Sequence, residues 1–334
     1  MKRNEKVLVT GAGGFIGHHL VTFLKQKGYW VRGVDLKHPE YKATDADEFL
    51  ILDLRDKEDA IRATKGIDHV YALAADMGGM GYISSHNALI LYNNATININ
   101  TLEASRISKI KRLFYSSSAC VYPEYKQEKT NIAPLKEEDA YPAEPQDAYG
   151  WEKLFTELLA KYYHKDYRLE TRVARFHNIF GPLGTWDGGR EKAPAAICRK
   201  VAMAKLKKDK EIEIWGDGKQ TRSFCYIDDC VEGIYKLMMS DFSDPLNIGQ
   251  DRMVTIDQLV DMVSVIAGIK VQKVHIKGPQ GVRGRNSDNT KLREVLKWVP
   301  EISLEEGLKK TYDWIEKQVR IKGSDSLVNL KNKL

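Results

Sequence analysis

The chain alternates short runs of β-branched and apolar residues with longer stretches in which apolar positions recur at helical spacing. Lys6–Thr10, Trp30–Asp35, Phe49–Leu52, Val70–Ala74, Leu113–Ser117 and Arg172–Phe176 read as strands, and Gly14–Lys27 as a helix. Further helical patterns lie near 56–65, 84–108 and 147–164. Apolar strands separated by helices predict a parallel sheet covered on both faces, the doubly wound α/β architecture of Rossmann type. After Phe176 the pattern breaks into a Gly-, Pro- and Trp-rich passage from Gly181 to Pro194, the kind of loop that covers a site. Helical patterns resume near 195–206, 228–240, 256–267 and 303–320, and much of this segment is expected as a smaller C-terminal lobe. The expected division is a first domain of residues 1–182 with a return segment at about 224–250. Residues 183–223 and 251–334 would form the substrate-binding lobe.

Composition narrows the classes. With 334 residues and 43% hydrophobic content the chain can bury a substantial core. The start MKRNEKVLVTG runs straight into an apolar strand, and no run approaches a membrane span, so a cytoplasmic protein is expected. Cysteines 120, 198, 225 and 230 form no CxxC pair or metal-ligand spacing, so reduced thiols and no metal are expected. The net charge of +6 comes without an aromatic-interleaved basic stripe, which argues against nucleic acid and suits a diphosphate ligand.

Thr10-Gly11-Ala12-Gly13-Gly14-Phe15-Ile16-Gly17 follows the first strand and opens the first helix. There backbone amides can meet a pyrophosphate at the positive end of the helix dipole. Gly11, Gly14, Phe15, Ile16 and Gly17 are therefore expected at a dinucleotide. Asp35, ending the second strand, can accept from an adenosine ribose and repel a 2′-phosphate, which favours NAD over NADP, although Lys37 stands close by. Asp53 and Leu54 sit where a carboxylate can meet the adenine amino group; a strand-end cap explains Asp53 equally well. Leu73, Ala74 and Ala75 would let the cofactor lie against the backbone, and packing alone would explain them too.

Ser118, Tyr149 and Lys153 are what an alcohol-oxidising nicotinamide enzyme needs, because Tyr149 and Lys153 share one helix face and a neighbouring ammonium favours the phenolate. Cys120, two residues after the serine, adds a thiol that suggests proton transfer at carbon. Taken together these features resemble the extended short-chain dehydrogenase/reductase family, in its nucleotide-sugar-modifying branch. The likeness continues through Asp76-Met77-Gly78-Gly79-Met80-Gly81, Ser118-Ala119-Cys120-Val121-Tyr122-Pro123, Gly188-Gly189-Arg190-Glu191-Lys192-Ala193-Pro194 and Gly281-Val282-Arg283-Gly284-Arg285-Asn286 into the group that epimerises GDP-mannose at C3 and C5. It spans nearly the whole chain, with residues 201–211 and Met1–Lys6 fitting less closely.

That resemblance implies a redox-neutral reaction in which Tyr149, aided by Lys153 and Ser118, takes the C4 hydroxyl proton while hydride goes to NAD. The C4 ketone acidifies the hydrogens at C3 and C5, and Cys120 and Lys192 carry over as the acid/base pair. For the diphosphate, guanidinium forks point to Arg285 and, second to it, Arg283. Asn178 is expected at the diphosphate or sugar, and Gly78, Gly79 and Met80 at the wall beside the sugar. Lys200 and Arg222 are also candidates, each equally readable as a surface ion-pair residue. A 3,5-epimerase of another GDP-sugar and an NDP-sugar 4-epimerase remain alternatives. A 4,6-dehydratase would need a carboxylic acid near Cys120, which Ala119-Cys120 does not supply. In this family the helices corresponding to 84–108 and 147–164 pair across a dimer, so a homodimer is expected, though the same stripes could be internal core.

Overall fold

The computed structural model describes residues 5–331, and for Met80 and residues 324–331 it describes the backbone alone. β1 (Lys6–Thr10), α1 (Phe15–Gln26), β2 (Trp30–Asp35), β3 (Glu48–Ile51), α2 (Lys57–Thr64) and β4 (His69–Ala72) open the chain. α3 (Met80–Ile83), α4 (Asn87–Ile107), β5 (Arg112–Ser118), α5 (Ala148–Tyr167), β6 (Glu170–Phe176) and β7 (Ile179–Phe180) follow. Then come α6 (Ala193–Lys207), β8 (Glu211–Trp215), β9 (Thr221–Ser223), β10 (Cys225–Tyr226), α7 (Ile227–Met239) and β11 (Pro245–Ile248). β12 (Met253–Thr255), α8 (Ile256–Ala267), β13 (Gln272–Ile276), β14 (Gly284–Arg285), α9 (Thr290–Leu296) and α10 (Leu304–Lys331) complete it.

The doubly wound parallel sheet read from the sequence is present. It has seven strands in the order β11-β6-β5-β4-β1-β2-β3, with every neighbouring pair parallel. Successive side chains of a strand leave on opposite faces, and the core divides accordingly. Val7, Val9, Val31, Tyr71, Phe114 and Ala174 pack on the side of α1 and α7, while Leu8, Val34, Val70, Leu113, Tyr115 and Val173 form a separate cluster on the other side. The chain reverses its winding between β1 and β4, which opens a crevice at the strand ends beside the glycine turn.

Differences from the sequence reading have local causes. β4 ends at Ala72 rather than Ala74, because the N–H groups of Leu73 and Ala74 both donate to Thr10 Oγ1 at 3.1 Å instead of extending the ladder. The helix expected over 84–108 is α4, which starts only at Asn87, because a turn at 84–86, whose Ser85 hydroxyl bonds back to the Gly81 and Tyr82 carbonyls, separates it from the short α3. The last helix starts where expected and runs on to Lys331. The sequence pattern did not mark the small β-structure of the C-terminal part: parallel β8 and β13, and the sheet β12-β9-β14. After α7 the chain returns to the main sheet, where β11 pairs with β6.

Candidate active site

At the glycine turn, backbone meets backbone too closely for side chains. A Cβ on Gly17 would lie 2.1 Å from the Gly11 carbonyl oxygen, and one on Gly11, whose φ is +71°, would lie 2.9 Å from Ala74 N. This leaves the N-terminus of α1 bare beside the ends of β1 and β4, a cradle that fits a dinucleotide pyrophosphate. Asp35 accepts from Gly13 N at 3.0 Å through Oδ2 and from Leu36 N at 2.7 Å through Oδ1, so its carboxylate is fixed at the mouth of that cradle. Asp53 forms a bidentate pair with Arg55, with Arg55 Nη2 2.6 Å from Oδ2, and the guanidinium holds its carboxyl below the usual range.

The proton-transfer groups meet where β5 ends. Asp147 caps α5 by accepting from Gly150 N at 2.8 Å, and Gly150 lets the helix start close against the preceding loop, since a Cβ there would lie 2.2 Å from the Cys120 carbonyl oxygen. Tyr149 is buried next to Ser118, whose Oγ accepts from Cys120 N at 3.1 Å. Lys153, one turn on, is buried with Nζ donating to the Ser116 carbonyl at 3.0 Å. Burial pushes the Tyr149 phenol well above 10 and the Lys153 ammonium below its ordinary value.

Ser118 and Cys120 open onto a cavity bounded by Gly78 and Gly79 on one side, Lys192 and Lys200 on another, and Asn178, Arg222 and Arg285 beyond. Gly79 permits the approach of the loop before α3 to the Lys192 loop, since a Cβ on it would lie 2.7 Å from the Glu191 carbonyl oxygen. Lys192 is exposed to this cavity, and the protein around it lowers its ammonium from the ordinary lysine value by partial desolvation. Asn178 takes a left-handed φ of +47° at the β6-to-β7 turn, with Nδ2 donating to the Ser223 carbonyl at 2.8 Å. Arg222 donates to the carbonyls of Thr221, Gln280 and Val282, and Arg285 reaches Cys120 Sγ at 3.3 Å. Arg283 is not brought to the cavity. It stands before β14, and its guanidinium is drawn to Asp217 at 3.0 Å and to Gln280 Oε1 at 3.1 Å. The side chain of Met80 lies outside the described part of the structure.

The cavity also takes in Trp215, Gln220 and Glu213, which the sequence reading passed over. Trp215 lies across Gly278, where a Cβ would come within 2.6 Å of the indole, a long-range contact that no local pattern announces. By contrast, Cys198, Cys225 and Cys230 are buried in the core, where burial pushes each thiol up and leaves it inert.

A glycine cradle at the switch point of a parallel sheet, with a buried Ser–Tyr–Lys group at the neighbouring strand end, defines a dinucleotide-dependent enzyme of the short-chain dehydrogenase/reductase class. Residues 7–249 match the model of the NAD dependent epimerase/dehydratase family, and the chain belongs to that family. A GDP-mannose 3,5-epimerase of Arabidopsis thaliana is 54% identical over 327 residues, covering 96% of this chain and 86% of that protein. GDP-mannose 3,5-epimerase 1 of Oryza sativa subsp. japonica is 53% identical, covering 94% of this chain and 82% of that protein. Among solved structures, the UDP-glucose 4-epimerase of Thermotoga maritima with UDP-glucose superposes with a TM-score of 0.85 at 28% identity, over 94% of this chain and 99% of that one. The UDP-glucuronic acid 4-epimerase of Bacillus cereus, in complex with UDP-glucuronic acid and NAD, gives 0.78 at 27% identity, over 94% and 99%.

Proposed function

We propose that the chain epimerises GDP-D-mannose at C3 and C5, giving GDP-L-galactose and GDP-L-gulose, with NAD as a recycled cofactor. The observation that carries this reading is a thiol, Cys120, and an amine, Lys192, opening into one cavity beside Ser118 and Tyr149. Inverting C4 alone gives such a pair nothing to do; inverting C3 and C5 requires it.

Gly11, Gly14 and Gly17, the amides of Phe15 and Ile16, and Asp35 would hold the cofactor, with Leu54 and Leu73–Ala75 along its path and Tyr149 and Lys153 at its reactive end. Asp53 reaches the adenine only if it gives up part of its pairing with Arg55. Bound there, NAD supplies a reversible hydride acceptor for C4. Tyr149 removes the C4 hydroxyl proton, with Ser118 orienting that hydroxyl and the Lys153 charge favouring the phenolate. Once C4 is a ketone, the C3 and C5 hydrogens are acidic. One member of the Cys120/Lys192 pair takes a proton from one face of the ring, the other delivers a proton to the opposite face, and the configuration inverts. Tyr149 finally returns its proton to O4. Arg285, Arg222, Asn178 and Lys200 would bind the nucleotide diphosphate and sugar, with Gly78, Gly79 and Met80 as the wall.

This assignment divides the chain into a cofactor part, 1–182 with 224–250, and a nucleotide-sugar lobe, 183–223 with 251–334. A homodimer joined through α4 and α5, working in the cytoplasm, belongs to the same reading. Among the described residues no helix is long and apolar enough to cross a membrane.

The test is NMR of the purified protein with GDP-mannose in deuterated water. Deuterium at C3 and C5 with GDP-L-galactose or GDP-L-gulose appearing is the expected result. No exchange, from protein shown to carry NAD, overturns the reading in favour of another nucleotide sugar.

A further inference from the structure

The guanidinium that reaches Cys120 is itself held from behind. Arg285 donates from Nη1 to Cys120 Sγ at 3.3 Å and from Nε to Gln127 Oε1 at 2.6 Å. Gln127 has no solvent exposure. Its Nε2 donates to the carbonyls of Tyr122 at 3.0 Å and Pro123 at 3.1 Å, and its backbone carbonyl accepts from Arg283 N at 2.9 Å and Gly284 N at 3.1 Å. The carboxamide therefore has one orientation. Turning it over would set an NH2 group against the guanidinium and an oxygen against the Tyr122 and Pro123 carbonyls. Arg285 Nη2 has no acceptor among the described residues, and the residue lines the cavity.

We propose that Gln127 is a positioning residue for the acid/base thiol: it aims Arg285 so that Nη1 bears on Cys120 Sγ while Nη2 is left for a diphosphate oxygen. The proposal rests on the reading of Cys120 as an acid/base group. A planar fork can serve a carboxamide, a thiolate and a phosphate at fixed angles, which a lysine ammonium cannot. Without the Oε1 anchor the guanidinium is free to swing wholly to the diphosphate, and the thiolate loses its counter-charge. The other groups facing Cys120 are Lys192 from the loop before α6, Arg222 from β9, and Tyr149 and Lys153 from α5. None of them bonds to Gln127, so a change at position 127 reports the contribution of Arg285.

The experiment follows alkylation of Cys120 by iodoacetamide from pH 5 to 10, with the site confirmed by mass spectrometry, in NAD-bound wild type, Gln127→Met, Arg285→Met and the double variant. Gln127→Met is expected to slow alkylation at pH 7 about tenfold and to move the profile up by about one pH unit, within the range a nearby cation commands. Arg285→Met is expected to do at least as much, and the double variant no more than Arg285→Met. A wild-type profile in Gln127→Met overturns the proposal, as does an undiminished effect of Gln127→Met when Arg285 is already gone. Should Gln127→Met not fold by thermal melting, Arg285→Met alone decides, and a wild-type profile there overturns it. Deuterium exchange in alkylated wild type separates this from the parent reading. Exchange that survives full alkylation removes the acid/base role of Cys120; exchange abolished with an unmoved Gln127→Met profile removes only the role of Gln127.

Discussion

Lys153 holds its ammonium between the Ser116 carbonyl, 3.0 Å away, and the ring of Tyr149, whose centroid lies 5.4 Å from Nζ. Both side chains are buried, and burial raises the phenol and lowers the ammonium. The phenol thus needs a neighbouring positive charge to ionise near neutral pH.

The first prediction concerns that charge. A rate that depends on the phenolate falls as pH drops through the phenol's ionisation, giving an acid limb. Lys153→Met removes the cation and moves the limb to higher pH, lowering kcat at pH 7 by roughly ten- to a thousandfold. A pH profile of epimerisation checks this; an unmoved limb with a uniformly lower rate would restrict Lys153 to cofactor binding.

A second prediction concerns His177, buried behind Asn178. Its Nε2–H donates to Asn247 Oδ1 at 2.9 Å, Nδ1 has no partner among the described residues, and burial lowers its pKa to about 3. The unfolded chain takes up this proton near pH 6.5 and the folded one does not, so the contribution of His177 to stability is full above pH 6.5 and is lost as pH falls toward 3. Between pH 6.5 and 5 that amounts to about 2 kcal/mol. Urea unfolding at the two pH values should show a loss that is smaller by about this amount in His177→Gln.

What the sequence made legible was local. The glycine turn, the Tyr149/Lys153 spacing and the strand–helix alternation are short-range patterns, and each lies where its spacing put it, give or take a residue or two. Long-range partners were not legible. Arg283 and Arg285 look alike in the sequence, and only the fold turns one toward Asp217 and the other toward Gln127, 158 positions away. The same holds for Glu157, which carries both the buried Arg175 guanidinium at 2.7 Å and the Ser117 hydroxyl, yet reads in isolation as a surface helix residue. Trp215 reads in isolation as a core or surface residue; its place at the cavity depends on β8 lying beside β13.

The third prediction uses the crowding at the glycine turn. In Gly17→Ala the new methyl would sit 2.1 Å from the Gly11 carbonyl, a backbone atom that cannot step aside without moving the turn. Overpacking of this kind costs about 1–3 kcal/mol, or about five- to a hundred-and-fiftyfold if taken from cofactor affinity. The purified variant should retain little NAD, read by its absorbance after denaturation and by calorimetric titration, while its circular dichroism stays native. Full retention of NAD would show that the cofactor does not use this turn.

The fourth prediction concerns α4 and α5. These helices pack on each other, yet keep large apolar side chains in solvent: Tyr92 is 67% exposed, Trp151 48%, Phe155 46% and Tyr162 48%. Trp151, Phe155, Leu158 and Tyr162 follow i, i+4, i+7, i+11 spacing and so share one face of α5. A patch of this kind on a sheet-covering helix pair fits a second copy of the same pair, and a stable two-fold interface needs about 800 Å² from each partner. Sedimentation equilibrium should therefore give a dimer for the wild type. Phe155→Glu and Tyr92→Glu, each placing a charge within that face, should shift the mass to the monomer while leaving bound NAD in place, because neither residue touches the cofactor cradle. A wild type that sediments as a monomer at micromolar concentration would remove the interface and leave the exposed aromatics as a surface for some other partner.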